Sequence, residues 1–225
     1  GLVVVKALAH SPWGTFTVLA TLPIAVFMGL YLRYFRPGRI GEMSLIGLVL
    51  LFLALVDSPV PLTNSSGVYS RSLGEFVAAA VLFFAKDFHR MKRNQAAGRW
   101  EQFDVEEAHG RTMGIVGYGD IGRAAARLAK ALGMRVIALR RRPEKSDGDD
   151  LVDEALGSER LLELMGRSDY VVVAAPLTPE TRGLVSATAI AAMKSTGVLI
   201  NVGRGAVIDE AALIEALRTR SIRGA

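Results

Sequence analysis

Three stretches of this chain hold residue types whose spacing could do chemistry. Gly117-Tyr118-Gly119-Asp120-Ile121-Gly122 is a G-x-G-x-x-G turn, and each glycine in it has a distinct use. Gly117 allows the tight turn, Gly119 lets the backbone approach a pyrophosphate, and Gly122 lets a helix pack closely on a strand. A helix that starts here offers free N–H donors and a positive dipole end to phosphates, so Tyr118, Asp120 and Ile121 join the glycines as dinucleotide-binding candidates. The second stretch, Arg140-Arg141-Arg142, stands roughly 20 residues after the glycines, where an NAD site usually places an acid that accepts from the ribose 2′-hydroxyl. An arginine cannot accept that bond, but it pairs with a 2′-phosphate through a bidentate fork. Arg140 and Arg141 therefore point to NADP(H), with NAD(H) as the alternative. The same run also reads as a solvated basic loop beside Glu144 and Lys145. The third stretch is Val202-Gly203-Arg204-Gly205. Its glycines permit close ligand approach, and Arg204 suits a carboxylate or a developing oxyanion. Arg204 is the catalytic candidate, with Val202 and Gly203 on the cofactor side of it.

These stretches need a scaffold that brings them together, and the apolar patterning supplies one. Arg111–Val116, Met134–Leu139, Asp169–Ala174 and Gly197–Val202 read as strands. Ile121–Leu132, Leu161–Met165 and Asp209–Arg220 read as helices between or after them. On the first helix Ile121, Ala124, Ala125, Leu128 and Leu132 form the face expected to pack on a sheet, and on the last one Ala211, Leu213, Ile214 and Leu217 are expected inward. Alternating strands and helices predict an α/β fold, a Rossmann-type doubly wound parallel sheet, here incomplete. Ligands in such sheets sit beyond the carboxyl ends of the strands. That puts the loop Pro176-Leu177-Thr178-Pro179-Glu180-Thr181 beside the cofactor, with Pro176 and Thr181 as candidates. Thr181 offers a hydroxyl or N–H to the ligand, or caps the next turn.

The dinucleotide-binding domain is assigned to residues 111–225, and residues 58–110 to a linker and entry helix. Pro59–Gly67 is rich in turn formers. Ser70 is placed to cap a helix carrying Leu73, Phe76, Val77, Ala80, Phe83 and Phe84 at near-helical spacing, which suits core packing or a subunit interface. Lys86–Gly98 is polar and basic and reads as a solvated helix end. Residues 1–57 differ in kind. Ser11–Leu32 carries no charge and is long enough to be a transmembrane candidate, while Met43–Val56 spans only about 21 Å as a helix. Arg33, Arg36 and Arg39 between them would lie on the cytoplasmic side. If both runs span, the dinucleotide unit faces away from the cytosol, so residues 1–57 are expected to be foreign to the rest of the chain.

Bulk properties exclude more than they assign. The net charge is +5 and the pI near 9.7, but the arginines sit in separate clusters without interleaved aromatics, which argues against nucleic-acid binding. With no cysteine there is no disulfide framework and no thiolate nucleophile. His10, His89 and His109 show no ligand spacing, so no metal is expected. The mean hydropathy of +0.32 is high, and residues 1–56 carry most of the excess. A cytoplasmic setting is expected, with membrane association through residues 11–56.

Gly117–Gly122, the Asp169–Thr181 strand and loop, and Asn201-Val202-Gly203-Arg204-Gly205-Ala206-Val207-Ile208-Asp209 together resemble the D-isomer-specific 2-hydroxyacid dehydrogenases. Asn64–Glu75 resembles the segment where that family's chain enters its cofactor domain. The resemblance implies a hydride passed between nicotinamide and the C2 carbon of a 2-keto or 2-hydroxy acid such as glyoxylate or hydroxypyruvate. It also implies that Arg204 holds the substrate's carboxylate and carbonyl oxygen, and that the cofactor domains form a homodimer. The family's proton-donating histidine, its glutamate partner and an aspartate near the nicotinamide follow the arginine segment, in a strand expected to begin at Ser221–Ala225. These 225 residues, which also lack the family's flavodoxin-like substrate domain, are therefore expected to be catalytically incomplete alone. Ser11-Pro12-Trp13-Gly14-Thr15-Phe16-Thr17 and Tyr31–Arg39 resemble a piece of the carbon-starvation family of membrane transporters. A non-catalytic NAD(P)-binding regulatory module and a fused transporter fragment stand as the alternatives.

Overall fold

The computed structural model describes residues 67–225. The apolar runs at 11–32 and 43–56, and the linker-like residues before Gly67, lie outside the described residues. Among the described residues no helix is long and apolar enough to cross a membrane.

The chain enters through two helices, α1 (Ser70–Ala85) and α2 (Phe88–Ala96). Ser70 does not cap α1: it is the first helical residue, and Tyr69 holds the cap position without a side-chain hydrogen bond. The Gly67–Tyr69 turn makes a hydroxyl cap unnecessary, because Ser70 N–H donates to Gly67 O and Leu73 N–H to Tyr69 O. The basic stretch after α1 is a helix of its own rather than a solvated end. Asp87, in the left-handed region at φ 49°, breaks α1 and caps α2 by accepting from Arg90 N–H.

Five parallel strands follow: β1 (Thr112–Val116), β2 (Arg135–Leu139), β3 (Glu154–Leu156), β4 (Tyr170–Val173) and β5 (Val198–Asn201). They lie in the order β3-β2-β1-β4-β5. The connections carry α3 (Asp120–Ala131), α4 (Leu161–Arg167) and α5 (Ala187–Ala191), and α6 (Glu210–Arg218) follows β5. The order reverses between β1 and β4, and that reversal opens a crevice at the carboxyl ends. The strands are buried on both faces, which is why Val171-Val172-Val173 is continuous rather than alternating. Val77 and Val81 of α1 and Ala125, Ala126 and Ala129 of α3 belong to the cluster that includes Met113, Ile115 and Val136. Leu164, Met165, Ile190 and Ala216 belong to the opposite cluster, with Ile137, Val171, Val173 and Leu199.

Two helix faces differ from the sequence expectation. On α3 the fully buried positions are Gly122, Ala125, Ala126 and Ala129, while Ile121, Ala124, Leu128 and Leu132 are half-buried. The small residues face the sheet because α3 sits close to it, and α3 packs as closely on α1, where a Cβ on Gly74 would lie 3.1 Å from Ala124. On α6, Ala212, Leu213 and Ala216 turn inward, whereas Ile214 and Leu217 remain 50% and 38% exposed and Ala211 is also exposed. At the end of the chain, Gly224 pairs with Val198 in parallel and accepts from Leu199 N–H at 3.0 Å. Ser221–Ala225 thus runs beside β5 through a single isolated bridge, at the place where a strand was expected to begin.

The amino ends of β1 and β4 are tied by one carboxylate. Asp169 accepts from Thr112 N–H at 2.8 Å and from Lys194 Nζ at 2.8 Å. Asp169→Ala leaves a mostly buried backbone donor without its partner and is expected to cost about 1–3 kcal/mol. Urea unfolding of the full chain would show it as a lower midpoint at unchanged slope; an unchanged midpoint would mean water replaces the carboxylate at no cost.

Candidate functional site

The glycine turn begins where β1 ends. Gly117 takes φ +94°, and its N–H and that of Tyr118 both donate to Leu139 O at the end of β2, at 3.0 and 3.2 Å. A Cβ at Gly117 would meet Ala175 N at 2.5 Å, so no side chain fits between this turn and the end of β4. Gly122 is tight as well, with a Cβ there 2.8 Å from Gly117 O. Gly119 is different: its backbone is extended at φ −108°, and a Cβ on it would meet nothing within 4 Å. It caps α3 without any side-chain hydrogen bond, which leaves the N-terminal amides of α3 free of a side-chain acceptor from the cap position.

This turn forms the floor of a cleft of about 670 Å³. One wall is the tip of β2, with Arg140, Arg141, Arg142 and Lys145; the other is the loop after β4, with Ala175, Pro176, Thr178, Glu180 and Thr181. Of the residues singled out from sequence, Gly117, Tyr118, Gly119, Arg140, Arg141, Pro176 and Thr181 come together here. Asp120, Ile121 and Gly122 form the first turn of α3 beside it. Val202, Gly203 and Arg204 do not line this cleft; they follow β5 at the adjoining carboxyl end. Val202 N–H donates to Val173 O at 3.0 Å, and Gly203 approaches Ala175 O so closely that a Cβ would lie 2.9 Å from it. Arg204 is exposed, and its guanidinium has no hydrogen-bond or ion-pair partner among the described residues.

The polar groups around the cleft are unequally engaged. Thr181 Oγ1 donates to Pro176 O at 2.5 Å and accepts from Thr178 N–H at 2.8 Å. Its hydroxyl therefore holds the preceding loop in shape rather than capping the next turn, while Thr181 still borders the cleft. Arg140 donates to Ser146 Oγ at 3.1 Å, and its guanidinium lies 5.8 Å from the Tyr118 ring centroid. Arg141 and Arg142 are exposed and have no hydrogen-bond partner among the described residues. A hydrogen bond from the Thr178 side chain, with a smaller contribution from Arg141 across the cleft, holds the Glu180 carboxyl below its usual range.

Sequence reasoning passed over Arg142, Lys145, Thr178 and Glu180 as site residues, although all four lie in runs it quoted. It had no means of finding Asp149. That carboxylate accepts from the Tyr118 hydroxyl at 3.0 Å and from Arg123 Nε at 3.2 Å, contacts between residues 31 and 26 positions apart that no local spacing encodes. Among the described residues no three His, Asp or Glu side chains converge as a metal site.

A dinucleotide fits this arrangement on two observations. Gly119 leaves open the space that any side chain would fill at the helix N-terminus, and Arg141 and Arg142, exposed and without a hydrogen-bond partner among the described residues, border the same cleft. Gly117–Gly122 would hold the pyrophosphate and Arg140–Arg142 the adenosine ribose.

Comparison with known proteins agrees with this geometry. Residues 78–225, more than half of the chain, match the family described as D-isomer specific 2-hydroxyacid dehydrogenase, NAD binding domain. Residues 1–83 match the family described as Carbon starvation protein CstA. A glyoxylate reductase of Thermococcus onnurineus is 35% identical over 179 residues, covering 74% of this chain and 52% of the relative. A D-3-phosphoglycerate dehydrogenase of Methanocaldococcus jannaschii is 32% identical over 178 residues, covering 76% of this chain and 33% of the relative. The chain thus spans from a third to about half the length of these relatives. Among solved structures, a D-isomer specific 2-hydroxyacid dehydrogenase from Xanthobacter autotrophicus Py2 in complex with NADPH and MES superposes with a TM-score of 0.66 at 36% identity, covering 77% of this chain and 72% of that one.

Proposed function

The chain belongs to the D-isomer specific 2-hydroxyacid dehydrogenase family, and from that membership we propose NADP(H)-dependent reduction of a small 2-keto acid. Oxidoreductase chemistry on CH–OH groups and an NAD(P)-binding fold are properties of the family. The preference for NADP(H), and a substrate of the glyoxylate or hydroxypyruvate kind, are our reading. The observation that carries it is the pairing, in one cleft, of an open glycine turn with Arg141 and Arg142 at the tip of β2, which have no hydrogen-bond partner among the described residues. An acid-free β2 tip offers the ribose 2′-hydroxyl no acceptor there, while a 2′-phosphate finds a fork.

When bound, the cofactor supplies a hydride. Gly117–Gly122 would hold the pyrophosphate through backbone amides, Arg141 would take the ribose phosphate beside the wall that Arg140 shapes, and Pro176 and Thr181 would form the opposite wall. Val202 and Gly203, at the adjoining carboxyl end of β5, would border the nicotinamide end, and Arg204 is the residue we assign to the substrate's carboxylate and developing oxyanion. Its free guanidinium supports that role. We further propose a homodimer through the cofactor domains, supported by Phe76 of α1, which is 58% exposed, and by the adjoining half-buried Phe83 and Phe84. A cytoplasmic setting follows from the need for reduced cofactor.

Fluorescence titration of the full chain should give tighter binding of NADPH than NADH; equal affinities would reject the NADP(H) assignment. The match of residues 1–83 to the carbon starvation family supports a second reading, a transporter piece joined to a dinucleotide domain. Retention in the membrane pellet after an alkaline wash is the outcome that reading requires; release into the supernatant rejects it.

A further inference from the structure

An NAD-type site uses an acid at the ribose 2′-hydroxyl; here an acid stands behind the cleft, bonded to Tyr118, which lines it. Asp149 lies in the segment after the arginine run, one tyrosine ring away from Arg140: its carboxylate accepts from the Tyr118 hydroxyl, and the Arg140 guanidinium sits 5.8 Å from that ring's centroid. Left bare, its charge would oppose a 2′-phosphate in the cleft. It is not bare. Oδ2 accepts from the Tyr118 hydroxyl at 3.0 Å and from Arg123 Nε at 3.2 Å, and Oδ1 accepts from Arg123 Nη2 at 3.4 Å and Leu151 N–H at 3.2 Å. Four donors occupy both oxygens, and the Arg123 guanidinium cancels the charge.

We infer that Arg123 and Tyr118 mask Asp149, so that the cleft's preference for a 2′-phosphate depends on a helix residue that never touches the cofactor. The inference rests on the NADP(H) reading above and adds positioning residues to it. Burial opposes ionisation of Asp149, but the Leu151 N–H, Tyr118 and Arg123 together keep its carboxyl below the ordinary value, so the masked group is a carboxylate, not an acid. Arg123 is well placed to be tested because it is half exposed on α3 and belongs to neither hydrophobic cluster.

The experiment is a two-by-two cycle on the full chain, Arg123→Ala, Asp149→Asn and both together, with the NADH-to-NADPH ratio of Kd as readout and thermal unfolding alongside. A merely structural role for Arg123 would weaken both cofactors alike and leave the ratio unmoved. Masking predicts that Arg123→Ala lowers the ratio about 3- to 10-fold, as expected for one charge uncovered near a phosphate at an effective dielectric of about 20. The double variant should return to within about twofold of the parent, since no charge remains to be uncovered. Asp149→Asn alone should raise the ratio by a similar factor, because it leaves the Arg123 charge uncovered. An unchanged ratio in Arg123→Ala, or a double variant that keeps the lowered ratio, overturns the masking while the NADP(H) reading stands. A parent that binds both cofactors equally overturns that reading instead.

Discussion

Gly119→Ala should fold as the parent does and lose most of its affinity for NAD(P)H, whereas Gly117→Ala should lose stability first. The two glycines are two residues apart in one turn, yet their surroundings are opposite. At Gly119 the backbone is already in the extended region open to any L residue, and an added methyl meets no protein atom within 4 Å. Such a change commonly leaves stability within about 1 kcal/mol, because it also restricts the unfolded chain. The methyl nevertheless stands where a pyrophosphate must approach the helix amides. An overpacking cost of about 1–3 kcal/mol, now levied on the complex alone, weakens binding roughly 5- to 150-fold. At Gly117 the φ of +94° disfavours alanine, and the methyl would strike Ala175 backbone atoms at 2.5 and 2.6 Å. Backbone strain of about 1–2 kcal/mol plus overpacking of about 1–3 kcal/mol is a large share of a typical 5–15 kcal/mol net stability. Urea unfolding and NADPH titration of both variants would separate the effects. If Gly119→Ala bound NADPH as tightly as the parent, the phosphates would have to lie elsewhere.

The difference between these glycines marks how far the sequence could be read. The β1–turn–α3 unit was legible because strand, turn and helix follow one another within about 20 residues, the range over which spacing and conformation are coupled. The place of Ser221–Ala225 beside β5 came from the family resemblance and not from local spacing. Packing direction was not. Periodicity places an apolar stripe on α6 but does not say which edge of the stripe the sheet covers, so Ile214 and Leu217 were expected inside and lie partly outside. β3 escaped notice because three residues, one of them Glu154, carry too little pattern. α5 escaped for the same reason: Ala187–Ala191 is a single turn and a half whose clearest signal is Ser186 accepting from Ala189 N–H. The site divides along the same line. Its glycines and arginines are local, while Tyr118, Arg123 and Asp149 meet only because β2 and the segment after it fold back across the turn.

Arg141 should be the residue on which the cofactor preference turns most sharply. Three arginines follow β2, but they are not equivalent in the folded chain. Arg140 is half-buried, bonded to Ser146 and stacked towards Tyr118, so its guanidinium is already committed to shaping the wall. Arg142 is exposed and precedes the short helical turn Pro143–Ser146. Arg141 borders the cleft, has no hydrogen-bond partner among the described residues, and faces a Glu180 carboxylate that feels its charge across the gap. A fork left free by the protein is the one that a phosphate can take without first breaking another bond. Hydrogen bonds to charged groups contribute about 1.5–3 kcal/mol, so Arg141→Ala should weaken NADPH roughly 10- to 150-fold while moving NADH by less than about twofold. The same interaction makes the parent's NADPH affinity fall as salt rises, with NADH less affected. Arg140→Ala should instead disturb both cofactors and the unfolding midpoint, because it removes a packed side chain as well as a charge. Titrating both variants with both cofactors decides the matter: a uniform loss in Arg141→Ala would make it a general phosphate contact, and no loss would return the arginine run to a solvated loop.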